Sequence, residues 1–161
     1  MSNIRLRSDE DLILLHVKAD DRRQVIEALG RRVEAKGYIN ERFIPRLLER
    51  EEAFPTGIET AYPIAIPHIG GDCTQPFLAV AVLDEPVMFG DMGGVKSELA
   101  VRLVFLFGIT APEDQVQVLK NFMAAFTMRE HLESLLGIES EIAGLELLET
   151  LLGDGFEAVY R

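Results

Sequence analysis

Phe77-Leu78-Ala79-Val80-Ala81-Val82-Leu83 is apolar at every position. A strand with one wet face alternates apolar and polar residues, so an unbroken run of this length describes a strand covered on both faces. A sheet buried that way needs helices above and below it. Working outward, Glu85-Pro86 predicts a break, Val87-Met88-Phe89 a short returning strand, Gly90 to Gly94 a loop, and Leu103 to Phe107 a second buried strand. Upstream, Ile64-Ala65-Ile66 reads as a short strand stopped by Pro67, which has no N–H for a ladder. Ile13 to Val17 reads as another.

Helices fill the intervals. Asp20 or Asp21 is a candidate N-cap, Val25, Leu29 and Val33 share a face, and Gly37 ends that helix. Asn40 offers a second start. Pro45 then belongs near the first turn of a helix running to about Ala53, because a mid-helix proline costs about 3 kcal/mol. Phe54-Pro55-Thr56-Gly57 closes it in a turn. Thr110-Ala111-Pro112-Glu113 reads as a capping box, followed by an apolar stripe of Val116, Leu119, Met123 and Phe126. His131 to Leu136 and Glu139 to Leu152 predict further helices, the last closed by Gly153-Asp154-Gly155. Strands separated by helices give an α/β sandwich, expected as one domain over residues 1–161.

Composition narrows the function. The 161 residues carry 27 acidic and 16 basic side chains, a net charge of −11. A field of that sign repels phosphate backbones and anionic lipid heads, which argues against nucleic-acid and membrane-surface partners and favours a partner with a basic face. Cys73 is the sole cysteine, so no intrachain disulfide forms. Met1 to Leu12 has no apolar signal core, and no apolar run approaches the roughly 20 residues that span a bilayer. A cytoplasmic protein without membrane insertion is the expectation.

Three histidines invite chemistry. His16, inside Leu14-Leu15-His16-Val17, reads as a structural or edge-strand residue, and His131 as a solvated residue at a helix start. His68 follows Pro67 and precedes Gly70-Gly71, so its ring is expected at a rigid strand end, in reach of solvent. A neutral imidazole whose Nδ1 donates its proton presents a nucleophilic lone pair on Nε2 and can take a phosphoryl group in line. A guanidinium nearby would stabilise the equatorial oxygens, and Arg50 is the candidate. From the residues alone, the simpler readings prevail: Arg50 as a solvent-facing arginine of Glu49-Arg50-Glu51-Glu52, and His68 as a histidine beside a proline. A general base in a hydrolase or lyase lacks an accompanying nucleophile. A Cys73–His68 pair lacks an orienting third group, and no zinc spacing, phosphate loop, dinucleotide fingerprint or serine elbow is present, so no metal or cofactor is expected.

Leu48-Glu49-Arg50-Glu51-Glu52-Ala53-Phe54-Pro55-Thr56-Gly57-Ile58, followed by Ile64-Ala65-Ile66-Pro67-His68, resembles the signature of enzyme IIA domains of the phosphoenolpyruvate-dependent sugar phosphotransferase system, in the fructose/mannitol superfamily. The likeness extends over roughly residues 10–155. It implies a mixed, mostly parallel sheet flanked by helices on both faces. It further implies a phosphotransferase component with His68 as the phosphorylated residue and Arg50 as a charge partner, while Thr56 and Gly57 shape the adjacent turn. HPr would be the donor and the cysteine of a cognate enzyme IIB the acceptor, with no direct contact to the sugar. Mannitol- and fructose-type members carry a second histidine where this chain aligns Gln115, and mannitol-type members an acidic residue where it has Tyr62. The chain is more similar to the galactitol-type branch, which also lacks the second histidine. A galactitol-like sugar or polyol is the implied cargo. The alternative within the same fold is a regulatory module whose phosphorylation switches docking to a protein target.

Overall fold

A computed structural model describes residues 4–160. The chain runs through β1 (Leu6–Asp9), β2 (Ile13–Val17), α1 (Arg22–Ala35), α2 (Phe43–Ala53), β3 (Gly57–Ile58), β4 (Ile64–Ala65) and β5 (His68–Gly70). It continues through β6 (Phe77–Gly90), β7 (Glu98–Ile109), α3 (Gln115–Phe126), α4 (Arg129–Leu136), α5 (Glu141–Leu152) and β8 (Phe156–Val159). The strands form one sheet in the order β3-β4-β7-β6-β1-β8, with β5 added to β7 beyond β4 and β2 added to β6 beyond β1. The β6–β7 and β3–β4 pairings are antiparallel and the other five are parallel, the mixed and mostly parallel arrangement expected.

The central run alternates between two cores. Phe77, Ala79, Ala81 and Leu83 face α1 and α2, meeting Val25, Leu29, Val33, Phe43 and Leu47. Leu78, Val80 and Val82 face the other side with Phe105 and Phe107 of β7, against Phe122 and Phe126 of α3 and Leu145 and Leu148 of α5. Helices therefore cover both faces, as the apolar run requires.

Several expectations need correction. Glu85-Pro86 does not break the strand: β6 continues to Gly90, and its register with β7 slips between Val82 and Val87. A bulge there exposes Glu85 and Pro86, so the missing proline N–H falls where no ladder bond is needed. Val87-Met88-Phe89 thus extends β6 instead of returning. Thr110 does not cap α3; a 3-10 turn over Pro112–Asp114 starts from Ala111 without a side-chain cap, so the capping box is absent. The α3 stripe is rotated: Val118, Phe122, Ala125 and Phe126 are buried, while Val116 and Met123 are exposed. β1, β3, β5 and β8 were not anticipated, being two to four residues long.

The same register with β7 carries from β4 into β5, with Ile66 and Pro67 between them. Proline interrupts one strand line rather than ending it, and His68 opens its second half.

Candidate functional site

His68 sits on β5 directly beside Phe107 of β7, and their rings stack at 4.6 Å with 3° between planes. Phe107 is itself held edge-on by Phe122, so the imidazole lies on a buried aromatic pair. His68 is buried, with 6% of its surface exposed, which corrects the expectation of a ring reaching freely into solvent. Stacking on Phe107 and cover from Gln115 are the cause. Nδ1 lies 2.6 Å from the Ile66 carbonyl oxygen. A carbonyl only accepts, so Nδ1 carries the proton and donates it. That leaves a lone pair on Nε2, which accepts from the Gln115 side-chain amide at 3.2 Å. Burial lowers the His68 pKa, the bond to Ile66 opposes this, and the charge of Arg50 lowers it further. The ring is therefore neutral at pH 7.

Arg50 is exposed on the last turn of α2, its guanidinium 4.2 Å from the centre of the Phe54 ring. Arg46, Arg50, Phe54 and Ile69 line one cleft, which brings this cation to the strand that carries His68. The helix is clamped to the turn after β5 by Asp72, which accepts from Asn40 at 3.0 Å, Arg42 at 3.0 Å and Arg46 at 2.5 Å. Those bonds hold the Asp72 carboxyl down to about 2.

Thr56 and Gly57 lie where β3 meets β4. Thr56 is buried, and both its backbone N–H and its hydroxyl donate to Glu51, at 2.9 and 2.8 Å. The Thr56 hydroxyl oxygen accepts from Ile66 N–H at 3.2 Å, and Ile66 is the residue whose carbonyl holds the imidazole. Gly57 packs so closely on Gly90 that an added Cβ would sit 2.5 Å from the Gly90 carbonyl oxygen.

Glu51 was missed by sequence reasoning. It is 3% exposed, and burial pushes its carboxyl up to about 7 against the two bonds from Thr56. The signal was available: Phe43, Leu47 and Glu51 are spaced four apart and are the buried residues of α2. The pH dependence follows from the sign of the shift. Between about 4.5 and 7 the folded protein keeps a proton on Glu51 that the unfolded chain has lost, so stability falls as pH rises through this window. The size is about 3 kcal/mol, from about 1.4 kcal/mol per pKa unit. Urea midpoints of the wild type and Glu51→Gln across this range should differ in slope accordingly.

The remaining candidates stand apart. His16 is a residue with positive φ whose exposed ring meets Asp84 at 3.1 Å. His131 is half-buried and donates from Nδ1 to the Ala125 carbonyl at 2.6 Å, tying α4 to α3 rather than facing solvent freely. Cys73 packs beside the α1–α2 core, and burial raises its thiol to about 11, so it stays protonated. Tyr62 donates to Glu133 at 2.9 Å. Among the described residues no group of three His, Cys, Asp or Glu is placed to hold a metal, and no helix is long and apolar enough to cross a membrane.

The family model for the phosphoenolpyruvate-dependent sugar phosphotransferase system, EIIA 2, matches residues 8–150. The 2-O-alpha-mannosyl-D-glycerate-specific EIIABC component of Escherichia coli K12 is 29% identical over 94% of this chain, which spans 23% of that relative's length. The galactitol-specific EIIA component of the same strain is 24% identical, covering 84% of this chain and 87% of that one. Among solved structures, the complex of enzyme IIAMTL and phosphorylated enzyme IIBMTL from Escherichia coli matches with a TM-score of 0.71 and 24% identity, covering 87% of this chain and 95% of that chain. The last likeness is one of fold.

Proposed function

Because the chain belongs to the phosphoenolpyruvate-dependent sugar phosphotransferase system EIIA 2 family, we propose that it is a phosphoryl carrier whose nucleophile is Nε2 of His68. One observation carries the reading: Nδ1 is committed to the Ile66 carbonyl at 2.6 Å, so the lone pair is on Nε2. HPr is the proposed donor. Nε2 attacks the phosphorus of its phosphohistidine, the donor's P–N bond breaks, and the donor imidazole leaves with the electron pair. The Nδ1 proton of His68 stays on its carbonyl throughout. The thiolate of a cognate enzyme IIB then attacks the phosphorus, the Nε2–P bond breaks, and His68 returns neutral.

Arg50 offers its charge to the phosphoryl oxygens. Gln115 covers Nε2 in the free protein and, swung aside on its flexible stem, donates an amide N–H to the same oxygens. Unlike a second histidine it does not titrate. Thr56 and Gly57 hold the strand segment in front of the ring. The cargo is a galactitol-like sugar or polyol, carried over from the branch resemblance, and it need not touch this chain.

A protein donor needs a face to dock on. Phe54 just after α2, Met92 and Val95 in the β6–β7 loop, and Val116 and Met123 on α3 are exposed apolar residues. Met92, Val95 and Met123 line a cleft of about 530 Å³ that also contains Ile66 and Gly57. Val116 adjoins Gln115. Val116→Glu is expected to raise the KM for the phosphorylated donor about tenfold, about 1.4 kcal/mol of docking energy, with Tm unchanged. Steady-state transfer kinetics checks this.

Incubation with enzyme I, HPr and phosphoenolpyruvate tests the function. One acid-labile, base-stable phosphate per chain is expected. No incorporation under conditions that phosphorylate HPr would contradict it.

A further inference from the structure

We infer that Glu51 is a positioning residue of the phosphoryl transfer, aiming Nε2 of His68 through Thr56 and the Ile66 peptide. The inference rests on the carrier reading above. Three hydrogen bonds run in series: the Thr56 hydroxyl to Glu51 at 2.8 Å, Ile66 N–H to the Thr56 hydroxyl oxygen at 3.2 Å, and His68 Nδ1–H to the Ile66 carbonyl at 2.6 Å. The polarity of the last two links is fixed by the Ile66 N–H and the Ile66 carbonyl, and that of the first by the ionised form of Glu51, which only accepts. With its hydrogen given to Glu51, the Thr56 oxygen presents lone pairs to Ile66. A second bond, from Thr56 N–H to the other oxygen of Glu51, fixes the threonine at two points.

The Ile66 peptide is where strand geometry alone gives least support. It lies in the gap between β4 and β5, and the next residue, Pro67, donates nothing to a neighbour. On the β7 side the gap is held through the Pro67 carbonyl, which accepts from Phe107 N–H at 3.1 Å. The β3 side is held by Thr56, whose carbonyl shares the Ile66 N–H at 3.3 Å. Glu51 anchors that side from inside the protein. Keeping a carboxylate at 3% exposure costs stability, and an apolar residue continuing the Phe43–Leu47 stripe would avoid that cost. The arrangement spends the burial on the orientation of one peptide.

That orientation decides reactivity. If the Ile66 carbonyl tilts away from Nδ1, the imidazole is free to carry its proton on Nε2, and Nε2 then has no lone pair with which to attack. Arg50 and Glu51 are consecutive residues on the last turn of α2, one exposed and one buried. The same helical turn thus reaches the site from outside by charge and from inside by tether.

The test compares Glu51→Gln, Thr56→Val and Thr56→Ser with the wild type, and uses His68→Ala as control. Phosphoryl uptake is measured over a range of phospho-HPr concentrations, and the His68 tautomer is read from its ring ¹⁵N shifts. Glu51→Gln and Thr56→Val should lower the maximal rate about 10- to 100-fold with KM within about twofold. Their His68 signals should move from Nδ1–H toward a mixture of tautomers, and Thr56→Ser should recover most of the loss. Folded variants that transfer near the wild-type rate with an unchanged tautomer would overturn the inference, as would a loss confined to KM. If Glu51→Gln does not fold, Thr56→Val decides, since it keeps the size of the side chain and deletes the hydroxyl. Label on His68→Ala would instead overturn the carrier reading itself.

Discussion

His68→Ala is expected to abolish phosphoryl uptake, by at least about 10⁴-fold, because it removes the proposed nucleophile rather than weakening its surroundings. Neither of the other histidines can substitute. His131 bonds a carbonyl through Nδ1 as His68 does, but the Gln115 amide meets Nε2 of His68 and not of His131, and the exposed His16 ring meets Asp84. Neither ring is hydrogen-bonded to Ile66 or Gln115, the residues that meet the two nitrogens of His68. The variant should fold, since alanine is compatible with a strand start, although the stack on Phe107 is lost. Labelling from phosphoenolpyruvate, with circular dichroism to establish folding, checks this. A folded His68→Ala protein that incorporates one acid-labile phosphate would contradict it.

Gly57→Ala is expected to destabilise the protein by about 3 kcal/mol, at the upper end for overpacking. The added Cβ would lie 2.5 Å from the Gly90 carbonyl oxygen and 3.4 Å from that of Phe89, so backbone must move. Relief is blocked from behind: a Cβ on Gly90 would itself lie 2.7 Å from Pro55, and Phe89 is fully buried. Met92 N–H donates to the Gly57 carbonyl at 2.7 Å, so displacing β3 also disturbs the loop that lines the cleft with Met123. Because Thr56 precedes Gly57, uptake should fall as well. The urea midpoint should drop with the m-value unchanged. Stability within about 0.5 kcal/mol of the wild type, the range of an ordinary surface change, would contradict the close approach.

The fold was legible where patterns are long. The apolar run Phe77 to Leu83 forecast a doubly covered sheet, and Val25, Leu29 and Val33 forecast the face of α1 that covers it. The pattern failed where tertiary pairing overrides local propensity. Pro86 looks like a strand breaker, yet β7 pairs on both sides of it and a bulge absorbs the residue. Val116 and Met123 looked like core because they are apolar, but the phase of α3 turns Val118, Phe122 and Phe126 inward and leaves these two exposed.

Within the candidate site, the place of His68 just after Pro67 could be read from order and type, whereas Arg50 was singled out by the family resemblance, its own run reading as solvent-facing. The direction of the ring could not, because it depends on a carbonyl two residues earlier and on a threonine ten residues before that carbonyl. Glu51 hid in Glu49-Arg50-Glu51-Glu52, a run that reads as solvated until helix phase singles out the one residue in line with Phe43 and Leu47. Gln115 was placed by alignment alone, and the structure brings its amide to Nε2.

The most direct measurement is the position of the phosphoryl group on the ring. ³¹P and ¹⁵N spectra of the protein phosphorylated from phosphoenolpyruvate should give a single phosphohistidine at residue 68, with phosphorus on Nε2 and a proton retained on Nδ1. Phosphorus on Nδ1, or on any other residue, would contradict the account.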